Sequence, residues 1–84
     1  MTTQEKINQQ GRRYLASLAH AARLAWRHAC EWDGIPPDTK FVAFSPDNPH
    51  AKWHDRILTE LRRARAAYRA GGYEGLVIRN GRAR

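Results

Sequence analysis

The stretch KFVAFS, residues 40–45, decides which fold class the sequence predicts. It is rich in β-branched and aromatic residues and lies between two proline-containing turns, DGIPPD before it and SPDNP after it. This setting is typical of a short strand. Strand alternation would place Phe41 and Ala43 on one face and Val42 and Phe44 on the other. Because both faces are apolar, we expect an inner strand.

The residues before this stretch, about 3–32, predict one long helix with small and apolar side chains at helical spacing. Thr2 or Thr3 caps its start, and Gly34 with the prolines that follow ends it. Alanines in the middle of the stripe let another backbone lie close. Gly11 is a weak point that costs up to about 1 kcal/mol relative to alanine. The stripe comprises Ile7, Tyr14, Leu18, Ala21, Ala22, Ala25, Ala29 and Trp32.

A second helix follows the stretch and runs to about Ala70. Asn48 as N-cap with Pro49 at the first helical position predicts its start. Ser45 with Pro46 is a rival start one turn earlier, and the glycine pair 71–72 predicts its end. Its apolar stripe comprises Trp53, Ile57, Leu61, Ala64 and Tyr68, with Leu58 at one margin.

The segment YEGLVIRNG, residues 73–81, gives a second strand signal centred on 76–79, where Gly75 marks a bulge or a close backbone approach. We therefore predict an α+β fold, with a long N-terminal helix followed by a β-α-β unit. Both helices would pack on one face of a two-stranded sheet. Because two strands alone are marginal, we expect dimerisation at the sheet edge to extend the sheet into a homodimer, and the alternative is that the edge receives a different protein.

The length of 84 residues predicts a single small domain, 1–84, with frayed ends at about 1–8 and 80–84. The N-terminus lacks a secretory signal, and no window approaches the ~20 apolar residues of a membrane span. We therefore expect a cytoplasmic protein. The one cysteine, Cys30, excludes an internal disulfide.

The net charge of +7 favours an acidic partner, either nucleic acid or an acidic macromolecule. Most arginines fall on the outer sides of the two predicted helices, which would form one positive surface if the helices lie side by side. Arg65 differs, since it lies only about 40° from Leu61 at the core margin. The residues that we expect to contact phosphate or carboxylate groups are Arg56, Arg62, Arg63, Arg69, Arg23 and Arg27.

The segment NPHAKWHD, residues 48–55, suggests a second kind of site. His50 and His54 are four residues apart, a spacing that lets two imidazoles share a metal ion, and His28 is the candidate third ligand. The alternative is that these imidazoles are interior or interface groups. The sequence holds no nucleophile elbow, no acid/base pair and no phosphate loop. We therefore predict a non-enzymatic protein without a cofactor.

Three functions follow from these patterns. The leading hypothesis is a small basic binding protein that contacts nucleic acid or an acidic macromolecule through its arginines. The alternative is a protein of the phage or mobile-element type, which would inhibit a host protein or defence complex in an anti-CRISPR-like role. Its protein interface would comprise Trp26, Val42, Phe44 and Val77. The third is a metal or pH sensor built on histidine.

Overall fold

The protein is a helical hairpin in the computed structural model, which describes the backbone of residues 2–82 and the side chains of residues 2–77. Helix α1 spans Thr3–Asp33 and helix α2 spans Pro49–Arg82. Tyr14 of α1 contacts Glu60 of α2, whereas His28 contacts His50. Because later residues of α1 meet earlier residues of α2, the helices are antiparallel.

The predicted α+β fold is wrong, since residues 2–82 contain no strand. In the stretch 40–45, Phe41 has a φ angle of 57°, which lies outside the β region. Its side chain is 101% exposed and therefore packs against nothing. The stretch has no partner strand and is held by side chains instead, because the rings of Phe44 and Trp26 pack with centroids 5.2 Å apart.

The second predicted strand, 76–79, is also wrong, because these residues belong to α2. Leu76 is buried there, so its apolar side chain serves a helix packing contact rather than a sheet. With both strands gone, residues 2–82 offer no sheet edge through which the expected homodimer would form. The predicted fraying at 1–8 and 80–84 concerns in part Met1 and residues 83–84, which lie outside the described residues.

Small residues of α1 form the contact with α2, as the alanine stripe predicts. Ala22, Ala25 and Ala29 are buried, and on the facing helix Ile57 and Leu61 are buried with them. Such a stripe lets two helix backbones approach closely, so that the branched side chains of one helix fill the space above the small residues of the other. The contact forms a thin core along the hairpin axis.

The ends of α1 are fixed by capping interactions that the sequence predicts. The Thr2 hydroxyl accepts a hydrogen bond from the backbone N–H of Glu5, and the Glu5 carboxylate accepts one from the N–H of Thr2. Gly34 ends the helix in the left-handed conformation with a φ angle of 66°. Helix α1 is therefore a defined element from its first turn to its last.

A polar network ties the start of α2 to the end of α1. Asn48 is fully buried, and its side-chain oxygen accepts hydrogen bonds from the backbone N–H groups of His50 and Ala51, which confirms it as the N-cap. Its amide nitrogen donates to the carbonyl of Ala29 and to the carboxylate of Asp33.

Ser45, the rival cap, belongs to the same network without capping α2. Both its backbone N–H and its hydroxyl donate to Asp33, at 2.8 and 2.6 Å. These hydrogen bonds, with that of Asn48, lower the pKa of Asp33. The carboxylate at the end of α1 therefore sets where α2 begins.

Helix α2 breaks at Gly71 and Gly72, and the chain continues as a further helical segment, 73–82. Gly72 has φ 62° and ψ −154°, a combination that is essentially restricted to glycine. Beyond this break, Tyr73 lies against Gly11 of α1, and Gly75 lies against the carbonyl of Ala67. Gly75 therefore marks a close backbone approach, and Gly11, instead of weakening α1, makes room for a ring.

Replacement of Gly11 by alanine should destabilise the protein. A Cβ atom there would lie 2.5 Å from Cδ1 and 2.9 Å from Cβ of Tyr73. The resulting overpacking costs about 1–3 kcal/mol, which should outweigh the gain in helix propensity of about 1 kcal/mol. Urea unfolding measures the difference. Gly71→Ala is the matched control, because Gly71 has open space and a negative φ, and this change should be neutral or stabilising.

The Gly11 prediction can be separated from a general effect on α1. In a Tyr73→Gly background both clashing atoms of residue 73 are absent, so Gly11→Ala should no longer destabilise the protein. A Gly11→Ala variant as stable as the unmodified protein would contradict the contact.

Asn48→Ala should lower the free energy of unfolding by about 2 kcal/mol, since the helix cap is lost and buried backbone groups lose their partners. Asp47→Ala is the matched control. Asp47 is exposed beside Asn48, and its replacement should change stability by less than about 0.5 kcal/mol. Equal effects of the two substitutions in thermal unfolding would show that the network contributes nothing.

Candidate functional site

Three arginines on one flank of α2 surround an open groove of about 390 Å³. Arg62, Arg65 and Arg69 are three and four residues apart, so they share one face of the helix. Tyr68 lines the same groove and is 38% exposed. We call these four residues the arginine patch. Arg65 and Tyr68 were missed by the sequence prediction, which placed both toward the core.

Helix α1 contributes a further cation beside the arginine patch. The rings of Tyr68 and Tyr73 have centroids 4.7 Å apart, and the guanidinium carbon of Arg12 lies 5.7 Å from the Tyr73 ring centre. Among residues 2–77, no ion pair within 4.0 Å neutralises Arg12 or the patch arginines. The hairpin thus presents several uncompensated guanidinium groups beside two aromatic rings.

The six arginines predicted as contacts do not form one surface. Arg62 and Arg69 belong to the arginine patch, whereas Arg56 and Arg63 line a different groove together with Asp55 and Glu60. Arg56 is about 120° or more around the helix from Arg62, so it faces another side of α2. The acidic neighbours make this second groove a poorer anion site than the patch.

The remaining two predicted arginines, Arg23 and Arg27, line the groove between α1 and the loop, which has a volume of about 460 Å³. We call it the tryptophan groove, after the indole that lines it. It is lined by Ala22, Arg23, Trp26, Arg27, Pro37, Asp38 and His54.

The indole in the tryptophan groove is fixed by its neighbours. Trp26 donates a 2.8 Å hydrogen bond from Nε1 to the carbonyl of Pro37. Its ring packs against Phe44 in a T-shaped arrangement and against His54, with centroids 5.2 and 5.4 Å apart. Burial lowers the pKa of His54, and the opposing effect of the nearby Asp55 carboxylate is smaller. At neutral pH the His54 imidazole is therefore an uncharged wall of the groove.

The predicted metal ligands are only partly brought together. His28 and His50 have ring centroids 5.3 Å apart, and Trp32 packs on His50 at 5.8 Å. His54, the proposed partner of His50, packs against Trp26 instead. Residues 2–77 contain no group of three His, Cys, Asp or Glu side chains that could hold a metal ion.

The predicted protein interface does not form one surface either. Trp26 and Phe44 pack against each other, and Val42 is half-buried in the loop. Val77 lies two residues after Gly75, which contacts Ala67. Ala67 is about 20 Å along α2 from His54, and His54 packs against Trp26. Val77 is therefore at the other end of the helix contact from Trp26.

Two indoles that the sequence placed on apolar stripes are exposed instead. Trp32 is 55% exposed and Trp53 is 56% exposed. Trp32 packs on His50, which lies three residues before Trp53, so both indoles lie near the loop end of the hairpin. Trp32 lies in the last turn of α1 and Trp53 near the start of α2, and these positions at the helix ends were the signal that could have identified them.

Cys30 is fully buried, and its pKa is raised, first by burial and then by the Asp33 carboxylate. A thiol in this environment is a packing group and not a nucleophile.

Neither helix, over the part of the chain that the structure describes, has an apolar stretch that would cross a membrane. Comparisons with protein-family models, curated proteins and solved structures found no match.

The pKa of His54 provides a test of the tryptophan groove. Because burial lowers it, His54 should take up a proton below pH ~6.5, as followed by NMR titration of the imidazole. Because the folded protein binds this proton more weakly than the unfolded chain, the contribution of the neutral His54 imidazole to the free energy of unfolding is fully present above pH ~6.5. It is lost as the pH falls through the pKa of His54 in the folded state. Trp26→Ala should raise the pKa toward its ordinary value, whereas Trp32→Ala should not. An unchanged His54 titration in Trp26→Ala would contradict the packing.

Proposed function

We propose that this protein is a small non-enzymatic nucleic-acid-binding protein that contacts the phosphate backbone through the arginine patch. The observation that supports the proposal is the grouping of Arg62, Arg65 and Arg69 around one groove without an acidic neighbour within ion-pair distance among residues 2–77. A guanidinium group forms paired, charge-assisted hydrogen bonds with phosphate oxygens. The net charge of +7 attracts a polyanion from a distance.

The spacing of the arginine patch suits a strand of regularly placed phosphates. Arg62 and Arg69 are seven residues apart, which is about 10 Å along the helix. Phosphates along one strand of a duplex rise by about 3.4 Å each, so the patch reaches more than one of them. The side chains of residues 2–77 show no arrangement that would read base edges, so this binding is expected to tolerate any sequence.

The aromatic rings favour nucleic acid over an acidic protein as the partner. Tyr68 is partly exposed within the patch and packs against Tyr73 with the two rings tilted by 50°. A nucleobase has a flat face that packs on such a ring, and stacking of this kind contributes about 1–3 kcal/mol per base. Acidic side chains lack this face, so they would use the guanidinium groups alone.

Arg65→Ala combined with Arg69→Ala should weaken binding to a labelled single strand or duplex, as measured by fluorescence anisotropy. The slope of log affinity against log salt should fall by about 1–2 between about 50 and 200 mM salt, because up to two phosphate contacts are lost. The matched control is Arg56→Ala with Arg63→Ala, which removes the same charge from another side of α2.

The control pair should leave the salt slope nearly unchanged. Equal losses for the two pairs would show that net charge alone attracts the nucleic acid, without a defined patch. The absence of any binding at low salt would overturn the proposed function.

A second candidate is a protein-binding inhibitor that uses the two indoles near the loop end of the hairpin. Trp32 and Trp53 are each more than half exposed, and tryptophan is enriched among the residues that dominate protein interfaces. This surface differs from the predicted one at Val42 and Val77. A purified acidic protein whose binding is lost in Trp32→Ala/Trp53→Ala, but kept in the Arg65/Arg69 pair, would favour this candidate.

A further inference from the structure

We propose that the tryptophan groove is a second site, which binds an unpaired nucleobase together with its phosphate. The inference rests on the proposed function and extends it, because the arginine patch alone supplies contacts only to the phosphate backbone of a nucleic acid. The ligand class is a nucleoside monophosphate, free or as part of a single strand.

The size of the tryptophan groove fits this class. Its volume of about 460 Å³ lies within the range of roughly 300–1,000 Å³ that is usual for small-molecule sites. The groove is open to solvent and is bounded by α1 on one side and by the loop at Pro37 on the other, so a flat ligand would lie between these two walls.

The indole of Trp26 is held ready for stacking. Its Nε1–H is already satisfied by the Pro37 carbonyl, and contacts with Phe44 and His54 fix the ring orientation. A ring that is fixed before binding loses little conformational freedom when a base stacks on it. The uncharged imidazole of His54 adds a second aromatic wall.

The charges around the groove select a ligand with two kinds of polar group. Arg23 and Arg27 lie on its α1 side and suit a phosphate. Asp38 lies on its loop side, where a carboxylate repels an anion but accepts hydrogen bonds from a base amino group. A nucleotide with an exocyclic amino group satisfies both, whereas a simple anion satisfies only the arginines.

The position of the groove relative to the arginine patch supports a shared strand. Arg65 lies eleven residues after His54 on α2, which is three turns or about 16 Å along the axis. Eleven residues at 100° each bring Arg65 to within about 20° of the His54 direction, so groove and patch face the same side. A strand with one base in the groove would continue along the patch.

The test is an NMR titration of the full-length protein with guanosine monophosphate, in which the three indole N–H signals are assigned by single tryptophan substitutions. The signal of Trp26 should shift, and those of Trp32 and Trp53 should not. Ribose 5-phosphate should bind at least about tenfold more weakly, because the stacking contribution of the base is lost. Inosine monophosphate lacks only the amino group, so it should bind more weakly than guanosine monophosphate, and Asp38→Ala, which removes the acceptor, should remove this difference.

Trp26→Ala should reduce the affinity for guanosine monophosphate by about tenfold or more, while Trp53→Ala serves as the matched control and should leave it unchanged. If Trp26→Ala does not fold by circular dichroism, Arg23→Ala/Arg27→Ala replaces it. Both residues are exposed, so these substitutions should weaken the binding of guanosine monophosphate and leave the binding of guanosine unchanged.

Two outcomes would overturn the inference: equal binding of ribose 5-phosphate and the nucleotide, or a shift of Trp32 or Trp53 in place of Trp26. The proposed function is tested separately, since the Arg65/Arg69 pair should lose strand binding but keep the mononucleotide. If the unmodified protein binds the mononucleotide but no strand, the proposed function has failed, and if it binds a strand but no mononucleotide, the inference about the tryptophan groove has failed.

Discussion

The close contact between the alanine stripe of α1 and the branched side chains of α2 is the constraint on which the hairpin depends. Ala22 and Ala25 offer little side-chain bulk, so the space above them is filled by Ile57, with Leu58 packed beside it. Only a narrow strip of each helix is covered by such a contact. The large rings of both helices therefore lie at the margins, where they are exposed or cover a groove, and this is why the candidate sites lie there.

The polar network at the loop determines which rings meet across that contact. Asp33 binds Ser45 and Asn48, so the loop returns to the end of α1 and α2 starts opposite Ala29. This start places His54 beside Trp26. A shift of α2 by one residue would rotate His54 by about 100° away from the indole. The tryptophan groove thus depends on a helix cap some distance from it.

Much of the helical structure could be predicted from the sequence because its signals are local. Thr2, Gly34 and Asn48 act through backbone groups within a few residues, and they cap the helices as predicted. The strands could not be predicted correctly, because a strand needs a partner that a local pattern does not reveal. Phe41 and Leu76 have the residue types of strands, yet one lies exposed in a loop and the other is buried in a helix.

The candidate site was predicted in part, and the errors follow from treating each helix alone. A helical wheel places Arg65 and Tyr68 toward the core, because it assumes that the whole apolar stripe of α2 is covered. In the hairpin, the chain turns at Gly72 and Tyr73 packs on Gly11, so the end of that stripe stays partly open. Tyr68 is then left in an open groove with Arg65 and Arg69, where its ring stays partly exposed beside two cations. The same turn brings Arg12 over Tyr73, and thus the break in α2 both exposes the patch and adds a cation to it.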